Sequence, residues 1–270
     1  MRVLFNGSLV YTTDIQLLSE GLTVYEVVRV IGGKILFFDD HLNRFFSSAQ
    51  TAGLPLPYTR DDLFKMIARI LIEENVLFGN LKFQAVLNGQ TLKVDFMAWF
   101  IPHVYPSDNE YLNGVDVITF PAERPNPNAK VIHAALREQM ATLLQLRQVF
   151  EIIMVHPDGY ITEGSRSNFF MIKENEVFTA PLVDILPGIT RKYVLQVCVE
   201  NNIPLHEVRI RHDELVKMDS AFVSGTSPKI LPVCKIDDQR LEVINPILKL
   251  IMKKFDELIE NDLQRAPKFF

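Results

Sequence analysis

Cysteine is scarce: the 270-residue chain has only Cys198 and Cys234. Two thiols do not make the disulfide framework of a small secreted domain. Cys198 falls in the helical pattern YVLQVCVE and Cys234 in the strand pattern LPVCKID, so both read as small core hydrophobes. Long apolar runs are also missing. No stretch approaches the roughly 20 apolar residues a membrane helix needs. The opening MRVLFNGSLV has one Arg and then a short alternation, not the apolar segment of a signal peptide. A cytoplasmic protein without a membrane partner is expected. There is no basic stripe either: 28 basic residues face 33 acidic ones, for a net charge of −5. That balance argues against nucleic acid as the main partner. Repeats and low-complexity tracts are absent, and no residues are assigned to a metal. What remains is 48% hydrophobic and 23% charged. This is an ordinary globular composition with length enough for a real core, and small molecules are its default ligands.

The chain alternates strand and helix signals. RVLFNGSLVY predicts a hairpin around Asn6 and Gly7, and LTVYEVVRVIGGKILFF two strands joined at Gly32 and Gly33. DDHLNRFFSSAQTAG carries Leu42, Phe45, Phe46 and Ala49 at helical spacing. TRDDLFKMIARILIEENV reads as a second amphipathic helix capped near Thr59. LKFQAVLNGQTLKVDFMAWFIPH returns to strands. VYPSDNEYLNG, polar and containing Pro, reads as a linker over residues 104 to 114. Beyond it come the strand VDVITF, the stiff loop PAERPNPNAK, the helix HAALREQMATLLQLRQ and a run of short strands turning at Pro157, Asp158 and Gly159. The helix GITRKYVLQVCVENN, a short helix with two strands, and a final helix from Asn245 to Leu263 complete the chain. This mixture, without a regular βαβ rhythm, predicts an α+β fold in two domains, 1–110 and 111–270.

Five stretches carry chemistry. In DGYITEGSRSNFF, Glu163 ends an apolar strand among small residues that offer it nothing to pair with. A cation from outside the chain would account for it. Lys130 ends the Pro-rich loop before a helix. It is either a solvent-exposed lysine or an amine kept ready to attack a carbonyl, since lysine responds readily to desolvation and neighbouring cations. In LPGITRKYV, Pro187 and Gly188 precede a helix opening at Ile189 and Thr190, whose N–H groups suit an anion. FVSGTSPK repeats the theme with Ser224, Gly225, Thr226 and Ser227. Each is also compatible with a plain turn. Arg44, in HLNRF, is either a further phosphate ligand or a helix-face arginine. The set asks for a ligand with a phosphate, an electrophilic carbonyl and a cationic nitrogen. Pyridoxal phosphate has all three, its protonated ring nitrogen being the partner of Glu163.

In this order, HLNRF, Lys130, DGYITEGSRSNFF, LPGITR and SGT resemble the fold-type IV pyridoxal phosphate enzymes. This is the class IV aminotransferase family, which includes branched-chain aminotransferases, D-amino acid aminotransferases and aminodeoxychorismate lyases. The resemblance spans nearly the whole chain. It implies a small N-terminal and a larger C-terminal domain with the cofactor between them, in a homodimer. It makes Lys130 the Schiff-base lysine and proton shuttle, and Glu163 the partner of the pyridine nitrogen. Arg44, Ile189 through its N–H, Thr190 and Thr226 become the phosphate site. Tyr25 and Arg29, in VYEVVRV, lie on a strand facing the substrate pocket, where VYEVV is most similar to the D-amino acid enzymes.

The chain also departs from the family pattern. His133 stands where Asn often follows the lysine, as a hydrogen-bonding substitute or a packed helix histidine. KVIHAAL lacks the branched-chain enzymes' Tyr. FIPHVYP keeps His103 but has Ile101 where the D-amino acid enzymes place an Arg. Arg166, inside EGSRSN, either replaces that anion clamp or points to water. Lys229 is a further candidate, Ser227 is placed with the substrate contacts, and LLSEG replaces a glycine-rich lead into VYEVV. The expected reaction is amino transfer between an amino acid and a 2-oxo acid. The alternatives are a lyase releasing pyruvate and 4-aminobenzoate, and a catalytically weak cofactor-binding protein.

Overall fold

A computed structural model describes residues 2–11, 21–89 and 91–269. The chain forms two compact units. The first comprises Met1–Val104, Ala129–Ile132 and Ile259–Phe270; the second comprises Tyr105–Asn128 and His133–Leu258. The division is therefore not sequential, since four residues around Lys130 and the C-terminal dozen belong with the N-terminal part.

The first unit holds β1 (Arg2–Phe5), β2 (Ser8–Tyr11), β3 (Thr23–Ile31), β4 (Lys34–Ile35), α1 (Phe38–Ala52), α2 (Arg60–Glu74), β5 (Phe78–Leu87) and β6 (Val94–Ile101). Its six-stranded sheet runs β2-β1-β6-β5-β3-β4, with antiparallel pairing throughout. Asn6 and Gly7 both take positive φ, as a two-residue hairpin turn requires. Helix α2 starts on a capping box in which Thr59 and Asp62 satisfy each other's backbone N–H groups. Alternation along β3 sends Glu26, Val28 and Val30 to a buried face, while Tyr25, Val27 and Arg29 stay half-exposed on the other. The buried face packs on α1 and α2 around Phe45, Phe83 and Phe96, whose rings meet at 5.1 to 6.4 Å.

The second unit holds α3 (Asp108–Asn113), β7 (Val115–Pro121), α4 (Ala134–Arg147), β8 (Glu151–Val155), β9 (Ile161–Gly164), β10 (Asn168–Lys173), β11 (Glu176–Thr179), α5 (Ile189–Glu200), β12 (Leu205–Glu207), β13 (Ser220–Gly225), β14 (Lys229–Ile236), β15 (Gln239–Arg240) and most of α6 (Pro246–Arg265). Its sheet is mixed, in the order β12-β11-β10-β13-β14-β7-β8-β9, with β15 on β14. β7 runs parallel to both β8 and β14, so β7-α4-β8 is a parallel crossover that the strand and helix signals alone did not suggest.

Two local expectations need correction. The stretch read as a linker contains helix α3, because Ser107 and Glu110 form a capping box that nucleates it despite the nearby Pro106. Cys198 is fully buried as expected, but Cys234 is partly exposed and its Sγ lies 3.2 Å from Asp116 Oδ1. Most of the LLSEG lead into β3 lies outside the described residues. Among the described residues no helix is long and apolar enough to cross a membrane.

Candidate active site

In the first unit Lys130 is stitched to β3. Tyr25 N–H donates to the Lys130 carbonyl at 3.1 Å, Ile132 N–H to the Thr23 carbonyl at 3.0 Å, and Val131 bridges Val24. Lys130 N–H donates to the buried Ser48 hydroxyl at 3.1 Å. The end of the Pro-rich loop is thus joined to β3 through an isolated bridge at Val131, and the backbone of the lysine is fixed. Its Nζ lies 4.8 Å from the centre of the Tyr25 ring. Lys82 Nζ reaches the same ring at 5.5 Å and the Trp99 ring at 4.7 Å. An ammonium over an aromatic face is held by the ring's quadrupole. Arg29 shares this half-exposed sheet face with Tyr25. Gln84, directly opposite Tyr25 on β5, has a buried Oε1 without a hydrogen-bond partner among the described residues.

On the other face of β3, Glu26 is fully buried and grips Arg44 through two hydrogen bonds of 2.7 Å, while His41 Nδ1 lies 2.8 Å from the same carboxylate. Burial alone would raise the Glu26 carboxyl, but the charge and hydrogen bonds of Arg44, aided by His41, hold it down at about 2. Burial pushes His41 below its ordinary value, and the charges of Arg44 and Lys130 add to that against the pull of Glu26. Arg44 is thus buried and tied to a carboxylate. The sequence reading missed Glu26 and His41. The available signal was period-two alternation, which puts Glu26 on the apolar face, where a carboxylate has to find a partner.

In the second unit Glu163 is the penultimate residue of β9 and is buried. The chain itself supplies its cation, which corrects the expectation that nothing nearby could pair with it. Arg124 Nε donates to Glu163 Oε1 at 2.7 Å, and Arg124 Nη2 to the Ser165 carbonyl at 3.1 Å. Glu163 Oε2 accepts from Leu186 N–H at 3.1 Å and from Asn168 Nδ2 at 3.3 Å. Asn168 Nδ2 also donates to the Leu186 carbonyl at 2.9 Å. A Cβ on Gly188 would collide with Asn168 Oδ1, so the lead into α5 and the start of β10 need glycine there. Asn168 pairs with Ser224 across the sheet. The Ser224 hydroxyl is buried and has no hydrogen-bond partner among the described residues. Glu163, Asn168, the start of α5 and the end of β13 therefore converge.

The turn that follows Glu163 is held by a residue the sequence reading passed over. Buried Glu151 accepts from Ser165 Oγ at 2.6 Å, Ser167 Oγ at 2.8 Å, Arg166 N–H at 3.2 Å and Ile152 N–H at 2.9 Å. Its only sequence signal is a Glu at the head of the apolar strand EIIMV.

The other expected residues are placed as follows. Ile189 and Thr190 open α5 and are buried, and the helix has no side-chain cap. Thr226 and Ser227 lie half-exposed in the turn between β13 and β14. Arg166 is exposed and its guanidinium donates to the Phe150 carbonyl at 2.8 Å. Lys229 is paired with Asp256 at 2.7 Å. His103 is exposed beyond β6, with Nδ1 3.4 Å from the Ile101 carbonyl. His133 caps α4 without a side-chain bond to the helix. Burial, then the charge of Arg124, hold it below its ordinary value against a hydrogen bond to the Pro125 backbone.

The family model for amino-transferase class IV matches residues 23–236. The chain belongs to the class IV aminotransferase family. Family membership makes it a pyridoxal phosphate-dependent transferase. It is 30% identical to the D-alanine aminotransferase of Bacillus licheniformis over 256 residues, covering 89% of this chain and 90% of that one. It is 26% identical to a branched-chain-amino-acid aminotransferase of Pseudomonas aeruginosa over 260 residues, covering 88% and 84%. Its fold matches the crystal structure of a branched-chain aminotransferase from Thermoproteus uzoniensis with norvaline. That match has a TM-score of 0.88 and 26% identity, and covers 100% of this chain and 99% of that one. The donor set of this class IV aminotransferase fits the family's cofactor. The first unit offers a positioned lysine amine; the second, by itself, offers a buried carboxylate, a 12-residue helix without a side-chain cap, and a buried Ser224 hydroxyl with no hydrogen-bond partner among the described residues.

Proposed function

We propose that this chain is an aminotransferase that moves an amino group from an amino acid to a 2-oxo acid with pyridoxal phosphate, with Lys130 as the essential amine. The observation that carries this is the treatment of Lys130. A surface lysine needs no fixed backbone, whereas the carbonyl of this one accepts from β3, its N–H donates to Ser48 on α1, and its Nζ rests on Tyr25.

When bound, the cofactor supplies an aldehyde for amine exchange and a ring that accepts electrons from the substrate's Cα. The residues divide the remaining work. Lys130 Nζ takes the proton from Cα as a general base and returns it to the cofactor side as a general acid. Tyr25 orients that amine by its ring face. Glu163 Oε1 and Oε2 hold the ring nitrogen's proton, while Asn168 and Leu186 N–H fix the carboxylate. The N–H groups of Ile189 and Thr190, at the positive end of α5, receive the phosphate with Thr226. The family resemblance gives Arg44 a part in that phosphate role, with Glu26 holding its guanidinium in place. Tyr25, Arg29, His103, Arg166 and Ser227 are the proposed substrate contacts. The relatives named above support amino acids and 2-oxo acids as the substrate class, and family resemblance supports a cytoplasmic homodimer.

The test is the visible absorbance of the protein mixed with pyridoxal phosphate, repeated with Lys130→Ala. The native protein develops a bound-cofactor band that the variant lacks. The band's absence from the native protein overturns the proposal. Addition of amino donor alone then separates the reactions. A transaminase stays converted until a 2-oxo acid is added, whereas a lyase returns to its starting spectrum.

A further inference from the structure

Arg124 lies six residues before Lys130, in the loop PAERPNPNAK. Its side chain is 14% exposed and that of Glu163 is 3% exposed. The guanidinium is held at two points, Nε on Glu163 Oε1 and Nη2 on the Ser165 carbonyl. Both bonds lie within the second unit. Its charge is felt locally, as it contributes to holding His133 below its ordinary value. His133 is the titratable group on the α4 side. Glu151, committed to the serines of the turn, is the carboxylate on the strand side.

We propose that Arg124 sets how tightly Glu163 holds the proton on the ring nitrogen of the bound cofactor. This rests on the cofactor reading given above. A lone buried carboxylate beside a pyridine nitrogen keeps that nitrogen protonated. A carboxylate that already accepts a charge-assisted hydrogen bond has part of its negative charge neutralised, in surroundings where electrostatic effects are strong. Its attraction for a second proton is correspondingly weaker. The ring nitrogen then releases its proton at a lower pH than Glu163 alone would dictate, and the ring draws fewer electrons from Cα. That moderates the electron sink and favours return of the proton by Lys130 over loss of a leaving group.

The experiment uses full-length native protein, Arg124→Gln and Arg124→Lys, each loaded with pyridoxal phosphate carrying ¹⁵N in the ring. The ring-nitrogen chemical shift is followed against pH by NMR. In Arg124→Gln the midpoint for losing the ring proton rises by about one pH unit, the size expected for removing one close opposite charge from the carboxylate. Arg124→Lys keeps the charge but cannot make both bonds, and its midpoint rises by a smaller step. This readout does not depend on turnover. If Arg124→Gln does not fold or load, the lysine variant carries the test alone. Midpoints equal to the native one in whichever variants load overturn the role of Arg124 and leave the cofactor reading standing. A native protein that takes up no labelled cofactor overturns both.

Discussion

Glu26, Glu151 and Glu163 are all buried, and each is satisfied differently: by an arginine and a histidine, by serine hydroxyls and backbone N–H groups, and by an arginine with an asparagine. Removing one partner of a buried pair strands the other. Glu26→Gln should therefore cost about 3–5 kcal/mol at neutral pH, because Arg44 stays buried without its counter-charge. The pH dependence has a definite sign. A carboxyl at about 2 when folded and near 4.5 when unfolded adds stability that is full above about pH 4.5 and is lost as the pH falls toward 2. His41, held below 6.5 when folded, works in the same direction at a higher pH. Urea unfolding at pH 7, 5 and 3 should show the gap between native protein and Glu26→Gln narrowing with acid; a constant gap would refute the assignment. Glu151→Ala leaves the donors of the Ser165–Ser167 turn unmet. It should lower stability by about 1–3 kcal/mol and weaken cofactor binding in a fluorescence titration. The sequence singled out Glu163 as a carboxylate in need of a partner, because a charge on an apolar strand demands a reason. It did not single out Arg124, because which cation reaches that carboxylate depends on the path of a Pro-rich loop and not on local periodicity.

At the scale of elements, helix α5 shows what turn chemistry does for a site. Gly188 has ordinary negative φ, so glycine is required there by space and not by backbone conformation. A methyl group would push on Asn168 and, through it, on Glu163 and Leu186. Gly188→Ala should lower the thermal midpoint and weaken cofactor affinity at least tenfold, about 1.4 kcal/mol, as read by equilibrium dialysis. Affinity unchanged would mean that the α5 lead does not shape the site. Periodic helices and the two glycine-marked hairpins were readable from the sequence because their patterns are local. Helix α3 was misread because Pro106 and polar residues resemble a linker, although Ser107 and Glu110 already spelled out its cap. The parallel pairing of β7 with β8 and β14 joins residues far apart in sequence, and no local pattern encodes it.

At the scale of the whole molecule, the last dozen residues matter to the N-terminal unit. Lys34 Nζ donates to the Leu263 carbonyl at 2.5 Å, and Phe37 N–H to Asp262 Oδ2 at 2.7 Å. Phe37 takes positive φ at the cap of α1, a conformation that a bulky residue adopts only when its surroundings hold it there. A chain ending at Leu258 should show faster amide hydrogen exchange over β4 and the first turn of α1, with β13 and β14 unaffected. Protection unchanged in β4 would sink this prediction. Two compact bodies were foreseeable from the composition and the mixture of elements. Their interrupted membership was not, because Ala129–Ile132 joins the first unit by backbone pairing with β3, which side-chain periodicity does not report.

That pairing bears on how the protein can be divided. A gene cut anywhere between residues 105 and 128 hands Lys130 to the second fragment, while Thr23, Tyr25 and Ser48, which hold it, remain on the first. On the role proposed above for Lys130, neither fragment would own a working amine. Mixing the two would restore the hold on it, so that same role makes this chain suited to a split-enzyme reporter whose chromophore appears only on reassembly.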